Sequence, residues 1–434
     1  MKVLTLGLAC AMAALSNAPV LAQGAVRPER PYRGMFASGL GAAEQSLIFN
    51  GSVGGGYDDN LLLEQPGGIT DPRLAKSGGL GLLNASLGYS LNKDRVLLGV
   101  SAGSSSRYFP GQELEFLGSH YAGAGLTVQM GSRTTLTAQQ SVTYQPYTFA
   151  TMLPIFDAPE LGQLPNPALD FATGAESYFT LTSNLTFSRR LSPRTVFSAG
   201  YDHQQSETAF INGRFSRHGG TAGVRHTLTQ ALGLRLGYGY QTSQYLNSTT
   251  KIDNHNIDVG VDYRKALSFS RRSTLSFSTG TAAVSDGSNT SYRAIGSATL
   301  DHELGRTWLA TASFDRSVQF VDLVAAPVLQ DSLGAGVGGL LHRRVQVRSG
   351  VRASIGTIGF GQGTNNNDFD TYLASAGLAF FVSRHVSMNL DYGFYRYRFD
   401  QGIPLPFGIP RNVDRQTVRA SVGVWAPLFQ KARR

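Results

Sequence analysis

Cysteine is almost absent from this chain. Its 434 residues include one, Cys10, inside an apolar leader, so the mature protein lacks disulfides, thiol chemistry and cysteine-ligated metals. Charge is thin as well, at 15 % of residues. Apolar runs long enough for a helical membrane span, about 20 residues each, are missing after Ala22, and the mean hydropathy is only −0.11. That excludes a helical membrane protein. The eight histidines, His120, His203, His218, His226, His255, His302, His342 and His385, show none of the i,i+2 or i,i+4 spacings of a metal site. No glycine-rich phosphate loop occurs. The sequence therefore predicts no metal and no other cofactor.

What is present begins with Lys2 and the apolar stretch from Val3 to Ala22. With small or aliphatic residues at Val20 and Ala22, it predicts a secretory signal over residues 1–22, cut after Ala22. A lipoprotein signal around Cys10 is disfavoured by Gly7, which stands where an aliphatic residue is needed. Residues 23–43, with Arg27, Pro28, Glu29, Arg30 and Pro31, are too rich in proline and charge for a strand and predict a periplasmic leader. The net charge of +9 raises the question of nucleic acid. The basic residues are not gathered on one helix or aromatic-lined sheet, so no nucleic-acid partner is expected.

From residue 44 to residue 434 the dominant signal is a period of two. In Leu232–Tyr240, Leu232, Leu234, Leu236, Tyr238 and Tyr240 alternate with Gly233, Arg235, Gly237 and Gly239. Such a strand has one greasy face and one polar face, and tyrosines suit the boundary of hydrocarbon and water. Three more strands carry apolar faces at Leu136, Ala138, Val142 and Tyr144; at Ile257, Val259, Val261 and Tyr263; and at Trp308, Ala310, Ala312 and Phe314. A fourth runs Val386, Met388, Leu390, Tyr392 and Phe394. The opposite faces hold Thr, Ser, Gln, Asn and charged residues, costly in lipid and cheap in a wet bore. The 51 glycines fit an inner wall that must stay thin.

Tight polar connections fall at 91–95, 130–134, 190–195, 230–233, 270–273, 303–307, 342–345 and 382–385. Longer ones lie between them, the longest at 58–77, 148–174, 356–368 and 400–413. Eight tight turns alternating with nine longer loops predict an all-β fold: a transmembrane antiparallel up-and-down β-barrel of about 18 strands, 16 if one hairpin is miscounted. Both termini then lie on the tight-turn, periplasmic side. A soluble β-sandwich also alternates, but its polar face is its outer surface.

The bore-facing charges expected from this alternation are Arg235, Asp258, Asp262, Arg264, Asp315, Arg348, Arg352 and Asp391. The third long connection, rich in proline and apolar residues, is expected either to fold inward, with Asp157, Glu160 and Asp170 lining a constriction, or to pack as a lid over the mouth. The tight turns carry arginine after arginine, among them Arg133, Arg194, Arg272, Arg306, Arg343 and Arg384. They form either a positive ring that concentrates polyanions or a solvated, lipid-phosphate-binding rim. Gly99-Val100-Ser101-Ala102-Gly103 matches the G-x-S-x-G of hydrolases but lies inside an alternating strand, where no nucleophile elbow can form. No enzymatic activity is expected.

Gly55-Gly56-Tyr57-Asp58-Asp59-Asn60-Leu61 resembles the opening motif of a family of β-barrel porins, the second so named, often called outer membrane β-barrel proteins. The final strand, Arg415–Phe429, is similar to that family's as well, although Gln430–Arg434 follow the terminal aromatic. Members often accompany exopolysaccharide synthesis and export. The resemblance implies an outer-membrane conduit, with a polysaccharide as candidate cargo and a periplasmic polysaccharide-export component as candidate partner. The other expected partners are outer-membrane lipid, lipopolysaccharide and the barrel-insertion machinery. Two alternatives remain: a structural or adhesive barrel acting through its loops, and a membrane-embedded hydrolase.

Overall fold

A computed structural model describes residues 43–60, 77–110, 116–148, 172–208, 213–245, 251–267, 270–285, 290–321, 324–359, 367–403 and 411–432. Every element described is a strand. The first six are β1 (Ala43–Asp58), β2 (Gly78–Lys93), β3 (Val96–Tyr108), β4 (Phe116–Gln129), β5 (Thr134–Thr148) and β6 (Ala172–Ser192). Next come β7 (Thr195–Thr208), β8 (Gly213–Thr227), β9 (Leu232–Tyr245), β10 (Lys251–Leu267), β11 (Ser270–Ser285) and β12 (Thr290–Leu304). The last are β13 (Trp308–Val321), β14 (Val324–His342), β15 (Val345–Ile358), β16 (Asp368–Phe381), β17 (Val386–Phe399) and β18 (Asn412–Ala432).

Each strand pairs antiparallel with its neighbours in sequence, as β2 does with β3 and β9 with β10. The sheet closes where β1 pairs with β18, from Ala43 opposite Ala432 to Asp58 opposite Thr417. The result is an 18-stranded up-and-down transmembrane barrel with both ends of the sheet on the tight-turn side. Closure leaves no row of unpaired N–H and C=O groups, the condition for a sheet in hydrocarbon.

The two faces separate by residue type. Val53, Leu83, Leu236, Val259, Leu333 and Met388 point outward and are each more than half exposed. All five apolar faces read from the sequence lie outward, in register with the outward residues of their neighbours, as Val422 sits opposite Met388. The inward face carries Gly, Ser, Thr, Asn and charge. Among the described residues, left-handed backbone occurs at three tight-turn positions, Asp94 (φ 39°), Gly131 (φ 137°) and Gly305 (φ 73°), and just beyond β15 at Gly359 (φ 79°).

One predicted turn is displaced. Ser270–Ser273 opens β11 instead of forming a connection; Ser273 sits opposite His302 and its hydroxyl lies 2.7 Å from His302 Nδ1. Strand ends that project beyond the apolar band carry polar residues, so polarity alone does not mark the turn there. The third long connection is also narrower than read, because β6 begins at Ala172.

Spin labels at Leu234 and Leu236 in reconstituted protein are expected to be accessible to oxygen in lipid, and a label at Gly237 to an aqueous nickel complex. The opposite pattern would mean that inside and outside had been exchanged.

Candidate functional site

The bore has two unlike walls. The first is built by β7 to β10. Its inward residues include Asp202, Arg217, Thr221 and Arg225, then Arg235 and Gln241, then Asn254, Asn256, Asp258 and Asp262. Between them stand Gly219, Gly223, Gly233, Gly237 and Gly239. Side-chain alternation puts long polar residues next to bare backbone, and the wall is hollowed into a concavity of about 770 Å³. It is lined by Thr221, Arg225, Arg235, Asn254, Asn256 and Asp258, among others.

Charge in that wall is balanced. Arg225 and Arg235 stand opposite each other on β8 and β9, an arrangement that repels unless shared acids intervene. Asp262 supplies the sharing: Oδ2 lies 3.1 Å from Arg225 Nε and Oδ1 accepts from Arg235 Nη1 at 2.7 Å. Arg235 also pairs through Nε with Asp258. The pairing of β10 with β11 is interrupted between Ile257 and Asp262, and there Arg235 Nη2 reaches the carbonyl of Thr279 at 3.4 Å. Gly260 permits this: a Cβ there would stand 1.9 Å from that same oxygen. Asn254 Oδ1, Asn256 Oδ1 and Asp258 Oδ1 are buried without hydrogen-bond partners among the described residues. A row of unpartnered acceptors facing a concavity suits hydroxyl donors, from water or solute.

The second wall surrounds the seam. Asp58, wholly buried, receives Arg415 Nε at 2.9 and 3.0 Å and also its Nη2. Asp59 accepts the backbone N–H of Gln416 at 2.7 Å, and Asn60 Nδ2 donates to the carbonyl of Asp414 at 2.9 Å. The Tyr-Asp-Asp-Asn run therefore clasps the last strand to the first. Tyr395, Tyr397, Phe399 and Phe369 line β17 and β16 on the inward side and are buried, and Leu80, Leu82, Phe109 and Leu117 cluster nearby on the β2–β4 side. Arg107 and Arg419 are buried with them.

Of the bore-facing charges read from the sequence, Arg235, Asp258 and Asp262 form one network. Arg348 and Asp391 form a second, 2.8 Å apart, with the Arg348 side chain lying across Gly377 of the strand between them. Arg352 faces inward beside Leu373, and Asp315 accepts from the Ser317 hydroxyl at 2.8 Å on the same inward row. Arg264 is placed on β10 opposite Ser276, but its side chain lies outside the described residues. Asp157, Glu160 and Asp170 also lie outside them. Arg225, Arg107 and Arg419 were not read as bore-facing, and Asp58 and Arg415 entered the sequence reading only within the family-like motifs. Alternation would have put all five on inward rows; what it does not give is which rows meet.

Outward and toward the loop end, His203 and His218 stack at 4.3 Å on neighbouring strands, and Tyr201 Oη lies 2.8 Å from His218 Nδ1. Among the described residues, no group of three His, Cys, Asp or Glu is placed together as a metal site would need. Ser101 lies mid-strand in β3, facing Gly123 across the ladder.

No family model matches the chain, and no curated protein matches it. Its fold is similar to solved outer-membrane barrels. The FrpB iron transporter from Neisseria meningitidis is 12 % identical, with a TM-score of 0.47 over 88 % of this chain and 81 % of that one. The siderophore receptor PirA from Acinetobacter baumannii is 7 % identical, with a TM-score of 0.47 over 88 % and 81 %. The copper transporter OprC is 11 % identical, with a TM-score of 0.43 over 89 % and 81 %. The likeness concerns the barrel alone.

Replacing Arg415 by Met should strip Asp58 of its ion-pair partner in a buried setting and cost about 3–5 kcal/mol of barrel stability. Urea unfolding in detergent micelles would measure it. Adding Asp58→Asn to that variant should recover part of the loss, because the orphaned charge is gone; no recovery would mean that packing, not charge, holds the seam.

Proposed function

We propose that this protein is an outer-membrane channel of the porin type, a passive or substrate-selective conduit. One observation carries the reading: the β7–β10 wall, where glycines and charge leave a concavity of about 770 Å³ facing the bore. A barrel serving only as a scaffold gains stability by filling such space with packed side chains. Polar, glycine-floored walls instead keep a bore wet and wide enough for solute. The Gly55–Leu61 and Arg415–Phe429 resemblances favour a place beside exopolysaccharide export, and hydroxyl-rich cargo suits the acceptors of Asn254, Asn256 and Asp258. The channel works without chemistry on its cargo. Its remaining partners are outer-membrane lipid, lipopolysaccharide and the insertion machinery.

A second reading, a structural or adhesive barrel acting through its loops, draws on the opposite wall. There Tyr395, Tyr397, Phe399 and Phe369 fill part of the bore. Purified protein in a planar bilayer separates the two. Discrete, ohmic conductance steps are expected from a conduit; a folded, inserted barrel that stays silent would leave the scaffold.

Neutralising Arg225 and Arg235 together to Gln would leave Asp258 and Asp262 uncompensated in the bore. The reversal potential in a potassium chloride gradient should then move toward potassium selectivity. An unchanged value would show that current does not pass this wall.

A further inference from the structure

Three arginines converge on the inward side of the seam, one from β3 and two from β18, brought together by the register. Arg107 of β3 stands opposite Leu82 of β2, and Leu82 stands opposite Gly54 of β1. Gly54 in turn faces Ser421 of β18, two residues along from Arg419, which faces Gly56. Arg415 lies further toward the loop end on the same inward row of β18. Between Arg107 and Arg419 the inward row is Leu80 and Leu82 on β2 and bare glycine, Gly54 and Gly56, on β1. The Arg419 side chain runs across the glycine: a Cβ at Gly56 would stand 2.8 Å from its Cγ. Arg107 is near enough to both Arg415 and Arg419 for their charges to repel it, while Asp58 attracts it.

The two described acids near Arg419 are engaged by other arginines. Asp58 is taken up by Arg415, and Asp391, the other acid near Arg419, is held by Arg348. Arg419 is 4 % exposed, and its Nε and Nη1 have no hydrogen-bond partner among the described residues. A guanidinium buried with two unmade N–H bonds is a costly arrangement unless an acceptor arrives to fill it. Guanidinium groups match the paired oxygens of carboxylate, phosphate and sulfate through forked hydrogen bonds. The Tyr397 hydroxyl, buried beside Arg415, adds a neutral donor to the same neighbourhood.

We infer that Arg419, with Arg107 and Arg415, forms an oxyanion-binding site on the inner wall of the barrel at the β1–β18 seam, taking a small phosphate, sulfate or carboxylate group. The site faces the bore and lies at the loop end, so its ligand comes from the bore or the outer medium and not from the lipid that coats the other face. An oxyanion there links β18 to β3 across β1 and β2, and so spans the one strand pair no hairpin joins. Binding of this kind does not require conduction; a closed barrel would show it equally.

The test is calorimetric titration of the full mature chain, folded in phospholipid-free detergent micelles, with sodium phosphate and with sodium sulfate at constant ionic strength. Saturable binding is expected, together with an unfolding temperature that rises with anion and levels off. Arg419→Gln should weaken binding about 10- to 100-fold, the worth of one charge-assisted contact. Arg419→Lys, which keeps the charge and loses the fork, should fall between. If the Arg419 variants do not fold, Arg107→Gln, on a strand away from the seam, carries the comparison and should show a similar loss. Absence of saturable binding to the unmodified protein, or equal binding by a folded Arg419→Gln or Arg107→Gln variant, would overturn the proposal. Binding seen only when phospholipid is added would also overturn it, by assigning the anion to a headgroup.

Discussion

A sheet rolled into a cylinder has one strand pair that no hairpin joins, and here it is β1 with β18. Every other pair is held in register by a connection in the chain; this one must find its register through its own contacts. The backbone ladder alone tolerates slippage, since Gly54, Gly55 and Gly56 offer no side chains to set it. Asp58 and Arg415 remove that freedom at the loop end. Their buried ion pair, with Asp59 on the Gln416 amide and Asn60 on the Asp414 carbonyl, is formed in one register only. A slip of one residue would turn Asp58 outward toward hydrocarbon, where it has no partner. The barrel's closure, and with it the separation of lipid from bore, depends on that clasp.

Glycine and arginine together shape the inner surface. A long guanidinium side chain pointing straight into a bore would block it. One lying along the wall needs a neighbouring strand without Cβ. Arg348 reaches Asp391 across Gly377, Arg419 crosses Gly56, and Arg235 meets the Thr279 carbonyl beside Gly260. In each case the glycine serves a close approach rather than an unusual backbone angle. The abundance of glycine in this chain is thus partly the cost of keeping charge on the wall and out of the path.

The barrel was legible in the sequence because its two solvents impose a period of two on nearly every strand. Leu234 and Arg235 cannot exchange places, so alternation reports inside and outside directly. The tight turns were legible for a similar reason, save at Ser270–Ser273, where a strand leaves the apolar band and its polarity stops carrying information. The inner site was only half legible. Arg235, Asp258 and Asp262 were found because adjacent strands bring them together and their charges interrupt apolar text. Asp58 with Arg415 was missed because the two are 357 residues apart in the chain. Their meeting depends on strand number and register, which alternation does not encode. The Gly55–Leu61 motif drew notice as a resemblance, but its work as a clasp shows only when the first strand is seen against the last.

The two walls answer different demands on one cylinder. Around the seam, buried aromatics and arginines pack the inner surface, as a structure needs where its closure is least secured by connectivity. Across the bore, β7 to β10 are joined hairpin to hairpin and require no such reinforcement; there the inner face is pared to glycine, short polar residues and a charge network that neutralises itself. A bore with one filled and one hollow wall confines solute to the hollow side. Whatever passes would meet Asn254, Asn256 and the Arg225–Asp262–Arg235–Asp258 network before it met the seam. If the barrel conducts as proposed, selectivity and closure fall on opposite sides of it, so that either could change without undoing the other.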